Sequence, residues 1–262
     1  MSAPVFICAN AFGPIFVKHH GHATVANLAS RAGAQGLEIR QELMTPADLP
    51  LSELNQVLDT LQLGRTFSST VPLWSYEHCN IKGLLDALTI AKALNVSLLK
   101  IGIGALPKNP AVCQEELATF AKQLKESGIR LVIENDQTPE GGDINVMENA
   151  LTLLENAGVE VGLAFDTGNW HWVGEAPIDA AHQLGKRVDY IHCKSIDMKG
   201  HRVHVCQPRA IHLANWATLW SAFPPNTLRA IEFPLAQEDS EDQPYSALIA
   251  TAHEFVTRLS HY

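Results

Sequence analysis

Four side chains able to bind a hard metal ion stand near the ends of four apolar runs in the second half of the chain. LVIE ends in Glu134, VGLAFD ends in Asp166, VDYIHCK carries His192 near its end, and RAIEF carries Glu232. Each run has the length and apolar composition of a buried strand. Three carboxylates and an imidazole gathered at one point would repel one another without a cation, and a divalent ion removes that conflict. Carboxylate oxygens with a single His nitrogen suit Mn²⁺, Mg²⁺ or Co²⁺; Zn²⁺ can also bind, although structural Zn²⁺ favours sulfur and more His. Such an ion leaves positions for two neighbouring oxygens of a hydroxy-ketone or hydroxy-aldehyde, and its Lewis acidity lowers the cost of an enediolate. Glu134 and Glu232 could then be the catalytic pair, one removing a proton and the other returning it, which is isomerisation or epimerisation. One carboxylate at a strand end is more often a cap or an ion-pair partner; four ligands on four successive strands point to a site.

Elements that would position these residues can be read along the whole chain. Strands are expected at 5–9, 37–40, 66–69, 98–103, 130–134, 161–166, 188–194 and 229–233. Helices are expected at 24–32, 47–61, 82–94, 110–126, 144–156, 178–185, 216–223 and 245–259, with Asn109-Pro110 and Asp143 as starts and Gly33, Gly128 and Gly158 as stops. Eight strands alternating with eight helices over 262 residues predict a single-domain α/β fold, a (β/α)8 TIM barrel spanning 1–262; a doubly wound open sheet is the rival. Strand alternation then sorts the side chains. Val132 and Glu134, Ala164 and Asp166, Tyr190, His192 and Lys194, and Ala230 and Glu232 share the inward parity. So do Glu38, Arg40, Leu98 and Lys100, while Leu131, Ile133, Leu163, Phe165, Ile191, Cys193, Ile231 and Phe233 face the helices. Charge at inward positions near C-terminal strand ends is where a barrel places its active site.

Three inward cations, Lys100, Arg40 and Lys194, are candidates to bind a substrate carboxylate or phosphate, Lys100 first. The competing reading pairs Arg40 with Glu38 and sends Lys194 to the rim. Trp74, Trp170 and Trp172 are expected on loops, walling a sugar or forming a homodimer contact, and His19, His20 and His22 on a surface loop after the first strand. The acidic run at 238–242 reads as solvated loop. A net charge of −9 argues against a nucleic-acid partner, and no apolar stretch reaches the roughly 20 residues that span a bilayer. The N-terminal stretch lacks the pattern of a signal peptide. Five cysteines with no Cys-x-x-Cys pair suggest reduced thiols and a cytoplasmic location, with Cys8 and Cys193 as packing residues. IGIG at 101–104 lacks the third glycine of a dinucleotide loop, so no organic cofactor is expected.

IEN at Glu134, FDTGNW at Asp166, YIHCK at His192 and AIEFP at Glu232, in this order, resemble the xylose-isomerase-like TIM-barrel superfamily of sugar (phosphate) isomerases and epimerases, over essentially the whole chain. Within it, LEIRQEL, ENDQTPEGG and FDTGNWHW resemble the epimerase encoded with bacterial 2-ketogluconate-utilisation genes. The resemblance implies a Glu-Asp-His-Glu metal site at Glu134, Asp166, His192 and Glu232, the two glutamates also serving as acid and base, and a small keto-sugar or keto-sugar acid as substrate. The ketose 3-epimerases of the superfamily carry a substrate-holding His three residues after the Asp. Here that place is Asn169 and the nearest imidazole is His171, so both become substrate-binding candidates. A Pro-Gly-Glu-Gly-type loop is replaced by HRVHVCQPRAIHL. These departures leave open a metal-dependent dehydratase of a keto-polyol such as an inosose. An abasic-site nuclease of the same barrel would need more His and a basic groove, and a sugar-binding protein without turnover is a further alternative.

Overall fold

The computed structural model describes residues 3–75, 78–107, 113–200 and 202–261. Its strands are β1 (Val5–Cys8), β2 (Gly36–Arg40), β3 (Gly64–Ser75), β4 (His78–Cys79), β5 (Leu98–Gly104), β6 (Arg130–Glu134), β7 (Val161–Asp166), β8 (Val188–Cys193), β9 (Ser195–Lys199), β10 (Arg202–Cys206) and β11 (Leu228–Ile231). Its helices are α1 (Pro14–Arg31), α2 (Leu51–Thr60), α3 (Ile81–Ala93), α4 (Gln114–Ser127), α5 (Pro139–Gly142), α6 (Ile144–Asn156), α7 (Pro177–Leu184), α8 (Ala210–Leu219) and α9 (Tyr245–Ser260). Eight strands pair in parallel in the order β2-β1-β11-β8-β7-β6-β5-β3, and the β2–β3 pairing closes the ring. The fold is therefore the expected (β/α)8 barrel and not the open sheet. β4 adds antiparallel to the end of β3, and β9 and β10 form a separate antiparallel hairpin.

Inward and outward parity follow the two-residue period of the strands. Phe6, Cys8, Leu98, Val132, Ala164, Tyr190 and Ala230 pack together inside the ring. Leu131, Ile133, Leu163, Phe165, Ile191, Cys193, Ile231 and Phe233 belong to the larger core between sheet and helices. Truncating one of those aromatics, such as Phe165→Ala, would cost about 3–5 kcal/mol. Phe6 seals the floor: an added Cβ at Gly36 would lie 2.3 Å from its ring, and one at Gly64 2.6 Å. Glycine at these two positions lets a full phenyl group sit where β2 and β3 meet. Above this apolar floor the inward positions turn charged.

Several boundaries differ from the sequence expectation. β3 runs on to Ser75 because its register against β5 shifts between Ser68 and Pro72, an irregularity that accommodates the proline. α1 begins at Pro14 rather than residue 24, and carries a break at Gly21 (φ 75°, ψ 163°). Consequently His19, His20 and His22 lie in a helix and not in a loop. The acidic run is also structured: Asp239 accepts from the Ile15 and Phe16 N–H groups, capping the orphan donors of α1 where its charge meets the helix dipole. Glu241 stands 3.0 Å from His19 Nδ1. α8 starts at Ala210, earlier than the expected residue 216, with the His212 ring turned back onto the Arg209 N–H. Trp74 and Trp170 are buried in the core rather than exposed on loops, and Trp172 is half-buried. The expected helix start at Asn109-Pro110 lies outside the described residues. All five cysteines are free thiols, and among the described residues no helix is long and apolar enough to cross a membrane.

Candidate active site

The C-terminal ends of β6, β7 and β8 and the first residue after β11 bring Glu134, Asp166, His192 and Glu232 together. One ligand atom from each lies within 4.8 Å of all the others. Each side chain has a reason to point there. Register sets Asp166 beside His192 across β7 and β8, and Glu134 beside Ala164 across β6 and β7. Asn135 ties β6 to β7 by exchanging hydrogen bonds with the Asp166 main chain, through Oδ1 at 2.7 Å and Nδ2 at 3.1 Å. Asp166 Oδ1 is held by the N–H groups of Gly168 (2.8 Å) and Asn169 (2.9 Å), which turns Oδ2 into the barrel.

The facing atoms form a consistent set. Glu134 Oε1, Asp166 Oδ2, His192 Nδ1 and Glu232 Oε2 are buried, and none has a hydrogen-bond partner. His192 Nδ1 lies 2.6 Å from Glu134 Oε1 and 3.0 Å from Glu232 Oε2. Lys194 Nζ lies 2.6 Å from Asp166 Oδ2 and 3.0 Å from Glu232 Oε2. These separations are short, yet their angles are not those of hydrogen bonds. Such orphaned buried atoms are costly unless something off the chain binds them. A divalent ion fits the donors: one anionic or lone-pair atom from each of four side chains, all oxygen but one nitrogen. The electrostatics agree. Burial pushes the Asp166 carboxyl up to about 7 against the pull of Lys194, with Glu232 and Glu134 adding repulsion. A bound dication would offset that repulsion.

Around these atoms lies a layer from the early strands. Glu38 Oε2 accepts from His192 Nε2 at 2.8 Å, and Cys8 Sγ lies 3.8 Å from the same nitrogen. Arg40 Nη1 donates to Glu38 Oε1 (3.1 Å) and Glu232 Oε1 (2.8 Å), while its Nε donates to Glu42 (2.8 Å). Lys100 Nζ pairs with Glu134 Oε2. Burial opposes ionisation of Glu38, but His192, Arg40 and Lys100 outweigh it and hold its carboxyl down at about 2. Arg40 and Lys100 are thus occupied by protein carboxylates, Arg40 in the competing Glu38 pair weighed from the sequence. Lys194 does not reach the rim; it lies between Asp166 and Glu232, and also donates to Asn169 Oδ1 at 3.2 Å. Asn169 is buried and bound to Asn135 O and Gln137 as well, so it braces the β7 loop. His171 is exposed and lines, with Thr167, Lys194 and Trp216, a cavity of about 610 Å³ beside α8. Glu38 belongs with the site although sequence reading placed it inward without a role; its parity was the available signal.

A second set, Asp197, Cys206 and His212, also gathers within 4.8 Å at the hairpin. There His212 Nδ1 accepts from the Arg209 N–H at 3.0 Å, so the ring proton sits on Nε2, facing Asp197 at 3.4 Å. A metal on Nε2 would need an imidazolate, and the cluster is better satisfied as it stands, with Arg209 on Asp197.

The chain matches the family model for xylose isomerase-like TIM barrels over residues 26–217, and it belongs to that family. No curated protein matches it by sequence. Among solved structures it resembles a xylose isomerase domain containing protein from Salmonella typhimurium LT2 (TM-score 0.74, 14% identity, covering 98% of this chain and 97% of that one). It also resembles a D-allulose 3-epimerase from Methylomonas sp. (0.71, 15%, 98% of each chain). A third likeness is to the IolI protein with a bound zinc atom (0.73, 14%, 100% and 99%). At these identities the likeness establishes the fold.

Proposed function

We propose that this protein is a divalent-metal-dependent isomerase or epimerase of a small keto-sugar or keto-sugar acid. The observation that carries this reading is the set of four buried ligand atoms that complete no hydrogen bond, one from each of four neighbouring barrel strands or strand ends. Glu134, Asp166, His192 and Glu232 would hold the ion. When bound, it supplies Lewis acidity to a substrate carbonyl and favours loss of the neighbouring proton. The fold's likeness to an allulose 3-epimerase gives the reaction class further support.

The two glutamates each keep a second oxygen away from the shared point. Glu134 Oε2 is held by Lys100 and Glu232 Oε1 by Arg40. In this reading one glutamate takes the proton from the carbon beside the carbonyl. The other returns a proton to the opposite face of that carbon, or to its neighbour, giving an epimer or an isomer. Lys100 and Arg40 orient the two carboxylates; the glutamate that returns the proton starts the turnover protonated and the other ionised, and the two exchange states on reaction. Lys194 lines the cavity that holds His171, and in this reading its ammonium, freed from Asp166 and Glu232 once these hold an ion, would meet a substrate carboxylate. The sequence stretches that resemble the epimerase of 2-ketogluconate utilisation make 2-keto sugar acids the first compounds to try. The test is metal content of the purified protein together with NMR detection of solvent deuterium entering candidate keto-sugars and keto-sugar acids. Uptake at the carbon beside the carbonyl, abolished by a chelator, is the expected result. A dehydrated product would instead assign a lyase, and binding without exchange would reject the reading.

A further inference from the structure

The two oxygens of Glu38 serve two different members of the cluster. Oε2 accepts from His192 Nε2 at 2.8 Å, and Oε1 accepts from the Arg40 nitrogen that also reaches Glu232 Oε1. Glu38 is fully buried on β2, a strand that supplies none of the four converging atoms. An ionised carboxylate only accepts hydrogen bonds, so this contact puts a proton on Nε2 and leaves Nδ1 as the nitrogen that can offer a lone pair to an ion. That tautomer is otherwise the harder one to hold. The neighbours of Nδ1 are carboxylate oxygens at 2.6 Å and 3.0 Å, both acceptors, which on their own would draw the ring proton to Nδ1. Glu38 offers an opposing acceptor with hydrogen-bond geometry, which the two carboxylates lack.

We propose that Glu38 is a positioning residue: it holds His192 with its proton on Nε2 and its Nδ1 lone pair in the cluster, and through Arg40 it fixes Glu232 toward the same point. The role rests on reading the cluster as a divalent-ion site. Partners of this kind on a ligand's far side change metal affinity by about 10- to 100-fold.

Full-length protein stripped with a chelator is titrated with Mn²⁺ by calorimetry, as wild type, Glu38→Leu and Glu38→Gln. Leucine keeps similar volume without an acceptor; glutamine keeps an oxygen that can accept from Nε2–H. The expected result is a loss of about 10- to 100-fold in Mn²⁺ affinity for Glu38→Leu, with Glu38→Gln between it and wild type. A second readout needs no turnover and no Glu38 variant. In ¹H–¹⁵N spectra of the Mg²⁺-loaded wild type, the His192 ring, assigned by its loss in His192→Asn, should carry its proton on Nε2. Unchanged affinity in Glu38→Leu overturns the positioning role and leaves the ion site standing; a wild-type proton on Nδ1 overturns both. Wild-type protein that takes up no divalent ion overturns the ion site and this role with it. If Glu38→Leu does not fold, Glu38→Gln decides: an affinity equal to wild type overturns the role.

Discussion

Two fully buried histidines rest against carboxylates in this molecule. His22 follows the break in α1: its N–H donates to Asp48 Oδ1 at 2.7 Å, its Nδ1 stands 3.2 Å from Asp48 Oδ2, and its Nε2 accepts from the Arg40 N–H at 3.3 Å. Nδ1 faces an acceptor and Nε2 a donor, although Nδ1, like that of His192, completes no hydrogen bond. His192 has the same kind of partner on Nε2, but its Nδ1 faces carboxylate oxygens that are themselves without hydrogen-bond partners. The first imidazole lies between a donor and an acceptor; the second has acceptors at both nitrogens, the setting that suits a cation. Burial alone does not separate a structural histidine from a ligand. What separates them is the polarity of whatever faces the second nitrogen.

This contrast can be broken or sharpened by experiment. The largest effect is expected from His192→Ala, which should lower Mn²⁺ affinity, read by calorimetry, by more than the roughly 100-fold that loss of an outer partner can cost, and should abolish turnover. His22→Ala should do the reverse. It empties a buried site and removes the ring from beside Asp48, whose carboxylate keeps the N–H groups of Thr45 and residue 22, so urea unfolding should show a loss of about 3 kcal/mol, while Mn²⁺ affinity stays near wild type. Similar affinity losses in both variants would erase the distinction. Next in size is the effect of the ion on stability. Mn²⁺ at 100 times its dissociation constant should stabilise the wild type by about 2.7 kcal/mol, reversed by a chelator, and should leave His192→Ala unmoved. The smallest effect concerns acid. Burial would raise the Asp48 carboxyl, but the His22 contacts and the Thr45 and His22 N–H groups hold it below its ordinary value. A carboxyl lowered on folding adds stability that is complete above its unfolded value, about 3.9, and is lost as pH falls through the lower folded value. Acid-unfolding curves should therefore show a steeper loss below about pH 4 in wild type than in His22→Ala.

The late strands were the most legible part of the sequence. β6 and β7 have the bounds expected from their apolar runs, because a buried strand ending in a single carboxylate announces both its period and its stop. The parity that places Glu134, Asp166, His192 and Glu232 on one side follows from that alternation alone. Contacts between distant parts of the chain were not legible. Asp239 caps α1 from more than 220 residues away, and Glu38 meets His192 across 154. Neither pairing leaves a local pattern. Gly21 hid the first half of α1, since a glycine beside two histidines reads as a loop until Asp48 is seen capping the turn that follows it. The hairpin of β9 and β10 did leave a signal, the alternation of Val203, His204 and Val205 after Gly200.

Phe6 gives the barrel one consequence for traffic. With its ring wedged over Gly36 and Gly64, the lower end of the ring is stoppered. Whatever enters from the mouth must leave by the mouth, and a spent molecule vacates the same doorway that the next one needs. Product should therefore compete directly with substrate, and raising the substrate concentration should relieve the inhibition completely.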